Sequence, residues 1–133
     1  MADSIPGAAE GGVRTLLRLE GLAVLAAAGW FYWRAGFDGG WFAILFLAPD
    51  LSFLAYLGGP RSGAIAYNAA HSIHGALGLG VAALALGQPG LLAVALIWFA
   101  HIGFDRALGY GLKYGRGFGF THLGGFGRQA KEI

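Results

Sequence analysis

The stretch PGLLAVALIWFAHIGFDRALGYGL, residues 89–112, decides how the chain is read. Its first twelve residues are apolar or small, as in a helix that crosses a hydrocarbon core. His101, Asp105 and Arg106 then follow with no proline or cluster of turn residues to end the helix. Two questions follow from that placement: whether the rest of the chain is built the same way, and whether other polar groups share the depth of these three.

The rest of the chain matches. Of its 133 residues 56% are hydrophobic and 12% charged, with mean hydropathy +0.60, above the balance of a soluble domain of this size. Crossing a core of about 30 Å takes about 20 apolar residues in a helix. Three further runs, 15–33, 41–57 and 62–86, join the run at 89–112. The connections RAGFDGG, LGGPR and GQPG carry turn chemistry and are short enough to join antiparallel neighbours. The predicted fold class is all-α: a polytopic membrane protein, one transmembrane domain over residues 1–133. It is a four-helix transmembrane bundle whose Gly-rich C-terminal segment, 113–133, folds back at the cytoplasmic face. The 25 glycines and many alanines suit helices that approach closely in lipid. A cleaved signal peptide is the alternative for the first run, since Arg14 and Arg18 precede Ala26, Ala27 and Ala28; Glu20 and the bulky WFYW that follows argue against it.

Lys and Arg favour the cytoplasmic side. In a four-span arrangement Arg14, Arg18, Arg61, Arg106, Lys113, Arg116, Arg128 and Lys131 fall on one side, and Arg34 alone on the other. This predicts a multi-pass membrane protein with both termini cytoplasmic. Trp30, Trp33 and Trp41 become anchors at the outer interface, and Tyr67, Tyr110 and Tyr114 read as interfacial anchors too.

Ionisable groups inside a membrane are costly and usually mark a function. Glu20, Asp50, Asn68, His71, His74, His101 and Asp105 all fall in the cytoplasmic half of their spans. His101 and Asp105 share a helix face by their i, i+4 spacing, as do Tyr67 and His71. Pro49 frees a backbone carbonyl beside Asp50 and predicts a bend there. The tail adds His122, and its glycines allow a non-helical return over the bundle mouth. With no cysteine, disulfides and thiolate metal sites are excluded. No GK[ST] follows a glycine loop, so no nucleotide motif is present, and nothing points to nucleic acid.

The segments PDLSFLAYLGGPRSGAIAYNAAHS, AHIGFDRALGYGLKY and FTHLG, with RLEG at 18–21, resemble the domain-of-unknown-function family numbered 4260, a group of small bacterial integral membrane proteins. The resemblance runs from about residue 17 to 124. It implies a compact multi-span helical protein and points to Glu20, Asp50, Asn68, His71, His101, Asp105, Arg106, Lys113 and His122.

Three functions suit these residues. In the first, Glu20, Asp50, His71, His101, Asp105 and His122 supply ligands to a divalent metal, one ion or two. Mixed imidazole and carboxylate suits Zn, Mn or Fe. Asn68, His74, Arg106 and Lys113 then serve substrate or support the ligands, and the chemistry is metal-dependent hydrolysis of a lipid or amphiphile. In the second, the cluster is a structural hydrogen-bond network in a small transporter, channel or partner-binding subunit. In the third, His71 and His101 ligate one haem iron. The lipid bilayer is the expected surrounding, with a homo-oligomer or a membrane partner left open.

Overall fold

The structure, a computed structural model, describes residues 5–126. Residues 1–4 and 127–133 lie outside the described residues, and with them Arg128 and Lys131 of the charge count. The fold is mostly helical: α1 (Gly11–Arg34), α2 (Gly39–Leu45), a 3-10 helix (Ala48–Gly58), α3 (Pro60–His71), α4 (Ile73–Ala85) and α5 (Pro89–Leu108). Near the end of the described residues lies a two-stranded antiparallel ladder, β1 (Phe120–Thr121) with β2 (Gly124–Gly125), so the all-α expectation needs this small amendment.

The four apolar runs appear in order, but two are not uniform helices. The second run turns from α to 3-10 where Pro49 falls, taking the place of the expected bend. The third breaks at Ser72, which is extended at φ −91°, ψ 152°. Its halves of 12 and 13 residues reach about 18 and 20 Å at 1.5 Å per residue, each short of a bilayer core. The fourth stops at Leu108 and not at 112, because Gly109 at φ 95° takes the left-handed cap that an L side chain resists. The first starts earlier than expected, at Gly11. Two segments, Gly39–Gly58 and Pro89–Leu108, are long and apolar enough to cross a membrane.

α1 packs along α5, α4 along α5, and the 3-10 helix along α3. The α1–α5 seam closes on Gly21 and Gly103: a Cβ on Gly103 would lie 2.5 Å from the Gly21 carbonyl oxygen, so only glycine lets these backbones touch. The interior holds Ala28, Ala64, Ala76, Ala83, Ala95 and Ala100, while Leu22, Ile44, Leu51, Leu54, Leu57 and Leu84 are half or more exposed. Ile97, Ile102, Leu123, Tyr32 and Tyr67 are buried with these alanines, and the many large apolar side chains left exposed are more than a water-soluble surface carries. The tail returns to the start of the chain, where Ala9 N–H donates to the His122 carbonyl at 2.6 Å.

Candidate metal centre

The 3-10 helix sets the first wall. With three residues per turn, side chains at i and i+3 eclipse. Asp50, Phe53 and Tyr56 therefore stand in one row against α3, meeting His71, Tyr67 and Gly63 respectively. An α-helix would turn this row aside by about 60° per step of three. α3 answers with Tyr67 and His71 one turn apart, and α5 with His101 and Asp105 one turn apart.

Four side chains converge. His71 Nε2 lies 3.0 Å from His101 Nε2, 3.1 Å from Asp50 Oδ1 and 3.3 Å from Asp105 Oδ2. His101 Nε2 lies 3.3 Å from Asp50 Oδ1 and 3.7 Å from Asp105 Oδ2. One ligand atom from each residue falls within 4.8 Å of every other. Bonds of 2.0–2.1 Å to a tetrahedral ion put its ligand atoms about 3.3 Å apart, and the five measured separations straddle that edge. The histidines are fully buried and Asp105 nearly so; Asp50 is half-buried and forms the accessible side.

The proton inventory sharpens this. His71 Nδ1 lies 2.9 Å from the Tyr67 carbonyl oxygen, an acceptor only, so Nδ1–H donates and neutral His71 presents a bare Nε2. That lone pair faces two carboxylates and, nearest of all at 3.0 Å, His101 Nε2, whose N–H can donate to it when no ion is bound. Tyr67 donates its hydroxyl to Asp105 Oδ2 at 3.0 Å and stacks its ring on His71 at 3.7 Å. It is buried, not interfacial as expected from sequence. His101 Nδ1 is buried with no partner among the described residues, the one ligand nitrogen without outer support.

The break at Ser72 brings His71 to this point, and it is closed from α5. Trp98 Nε1–H donates to the Ala70 carbonyl at 2.6 Å and Arg106 Nη2–H to the His71 carbonyl at 2.9 Å. These carbonyls lose helical partners when α3 ends. Arg106 also donates to the Tyr110 carbonyl at 3.2 Å, so its guanidinium is engaged with backbone.

Glu20 and His122 are not brought to the cluster: they line a separate cavity of about 230 Å³ with Arg106. His122 Nδ1 accepts from Leu112 N–H at 2.8 Å, and burial together with the Arg106 charge lowers its pKa. His74 is exposed. Asn68 pins the tail through a double bond to Lys113, accepting from its N–H at 2.6 Å and donating to its carbonyl at 2.8 Å. Lys113 is only 4% exposed, and burial pushes its ammonium down to about 8 against the opposing pull of Asp105 and Asp50. Its Nζ lies 4.0 Å from the Phe118 and Phe126 ring centres and 4.7 Å from that of Tyr67. A cavity of about 350 Å³ opens over Asp50, Asp105 and Lys113. Tyr67 is the site residue that sequence reasoning misassigned; its i, i+4 spacing to His71 was the available signal.

These features define a small helical protein with a buried two-histidine, two-aspartate cluster beneath an aromatic cavity. The chain belongs to the family described as Domain of unknown function (DUF4260), which matches residues 14–126. No curated protein and no solved structure is similar to it.

Proposed function

We propose that this is an integral membrane protein in which Asp50, His71, His101 and Asp105 hold one divalent ion, and that the ion serves hydrolysis of a lipid or amphiphile. The observation that carries the reading is the convergence of four ligand atoms at separations of 3.0–3.7 Å around His71 and His101. Two neutral imidazoles and two carboxylates fit Zn in four-fold coordination; Mn or Fe would draw further oxygen ligands from the cavity. With Glu20 and His122 elsewhere, the set suits one ion. The ion would supply Lewis acidity toward an ester oxygen. Around it, Tyr67 orients Asp105, the Tyr67 carbonyl fixes the His71 tautomer, and the aromatic cavity limits water.

The outward-facing large apolar residues and the excess of basic residues at one end support a multi-pass bundle in a bacterial inner membrane, with cytoplasmic termini. The bond between Ala9 and His122 supports an even number of crossings. The bonds of Tyr67 and Arg106 favour a second reading, a metal-free network that holds the bundle of a non-enzymatic membrane protein. Haem suits the site less: trans axial nitrogens stand about 4 Å apart on opposite sides of an iron with bonds near 2.0 Å, and these lie 3.0 Å apart.

Elemental analysis of protein purified in mild detergent separates the two main readings. One equivalent of Zn, Mn or Fe, lost in His101→Ala and Asp105→Asn, is the expected result. Metal-free protein whose melting temperature is unmoved by both substitutions overturns the metal centre.

A further inference from the structure

Lys113 is a largely buried residue whose ammonium opens onto the cavity, a placement the metal centre does not explain. Among the described residues its Nζ has no carboxylate within ion-pair distance and no hydrogen-bond acceptor. The rings of Tyr67, Phe118 and Phe126 steady the charge through their faces, but a ring face does not satisfy three N–H donors. The Tyr67 hydroxyl is already committed to Asp105. Lys113 lines the same cavity as Asp50 and Asp105, so its missing acceptor is placed where a bound molecule would supply it.

Charge counting sets the acceptor's class. Of the groups lining this cavity and the proposed centre, a divalent ion, two carboxylates and two neutral imidazoles sum to zero and Lys113 adds one positive charge. Arg106 lines the other cavity, its guanidinium held by the His71 and Tyr110 carbonyls. The rim sets the rest: Phe104, Leu108, Tyr110 and Phe118 are 36–51% exposed around the cavity, giving it an apolar, laterally open mouth. We propose that this cavity binds an amphiphile with a single negative charge, a carboxylate or phosphodiester, its charged group against Lys113 and its chain leaving past Phe104 and Leu108. The proposal rests on the metal-centre reading, because without the ion the two aspartates make the cavity anionic.

The test is native mass spectrometry of metal-loaded protein released from a neutral detergent. The probes are dodecanoate, methyl dodecyl phosphate, dodecanol, dodecyltrimethylammonium and inorganic phosphate. At least one of the two anionic amphiphiles is expected to bind about tenfold or more tighter than the alcohol or the ammonium, and the tighter of the two identifies the headgroup. Lys113→Gln should erase that preference with metal content unchanged, while Lys113→Arg keeps it. Leu108→Asp, at an exposed position, should weaken the amphiphile without changing metal content, which keeps the test intact if Lys113→Gln folds poorly. Equal binding of anion and alcohol by metal-loaded protein overturns the proposal, as does inorganic phosphate binding as tightly as the amphiphiles. Protein isolated without metal fails the metal centre itself, a result distinct from either.

Discussion

The two ends of the helix bundle are furnished alike, with aspartate and aromatic rings, and use them in opposite ways. At the end near Arg34, Tyr32 is fully buried among Trp33, Phe37 and Phe42, whose ring centres lie 5.1–5.5 Å away, and its hydroxyl donates to the Asp38 carbonyl at 2.5 Å. Asp38 spends its side chain on capping α2, accepting from Trp41 N–H at 3.1 Å. Every polar group named there is satisfied by neighbouring backbone. At the other end Asp50 and Asp105 have no backbone donor to their side chains among the described residues and face imidazole nitrogens, Asp105 with the Tyr67 hydroxyl beside them. An aspartate closed by its own helix is architecture; an aspartate aimed at a histidine nitrogen needs a positive charge or a proton between the two, the place the proposed cation would take.

Substitutions can break this contrast. The largest effect is expected for His71→Ala and Asp105→Asn, which should reduce bound metal from one equivalent to near zero, while Asp38→Asn leaves it unchanged; elemental analysis of the three proteins side by side decides it. Next is Tyr67→Phe, which removes the hydroxyl from Asp105 and should weaken metal binding about tenfold, the low end for a ligand's outer partner. Competition against a chelator reads that change, and an affinity equal to wild type would assign Tyr67 to packing alone. Asp38→Ala removes a helix cap and should cost about 1 kcal/mol of stability with no change in metal content, as read by thermal unfolding in detergent.

A further test concerns pH and Lys113. Its ammonium titrates at about 8 in the folded protein against 10.5 for the free side chain, so between those values the unfolded chain holds more protons. Stability should therefore rise with pH across that window. The melting temperature of wild type is expected to climb by a few degrees from pH 8 to pH 10, and Lys113→Met should flatten the climb. A wild-type profile that falls over this range means that Lys113 is not buried in its charged form.

The shared faces of His101 with Asp105 and of Tyr67 with His71 were legible in the sequence, and which faces of different helices turn toward one another was not. Glu20 and Asp50 both lie in the polar half of their runs, yet only Asp50 turns toward the histidines. What turns it is the 3-10 winding after Pro49, which realigns Asp50 with Phe53 and Tyr56; an α-helical wheel drawn on the same residues puts them out of line. The turn at Gly87 and the cap at Gly109 were signalled by glycine or by Pro89 beside it. The break at Ser72 was not, because NAAHSI contains no proline or glycine and the partners that stabilise the break, Trp98 and Arg106, stand on another helix. Tyr67 was misassigned for a related reason: a tyrosine near the end of a run serves as an interfacial anchor or a buried donor, and packing against Phe53 and His71 decides which.

The break at Ser72 also sets an order of events during synthesis. The side chains that close it come 28 and 35 residues after the carbonyls they satisfy. Until Trp98 and Arg106 are in place, an unbroken helix through Ser72 is a local way to pair those carbonyls. His71 therefore reaches the cluster only when the last long helix arrives, carrying His101 and Asp105 with it. A chain that stops before this helix has neither Trp98 nor Arg106 to close the break, and neither His101 nor Asp105 to stand beside His71.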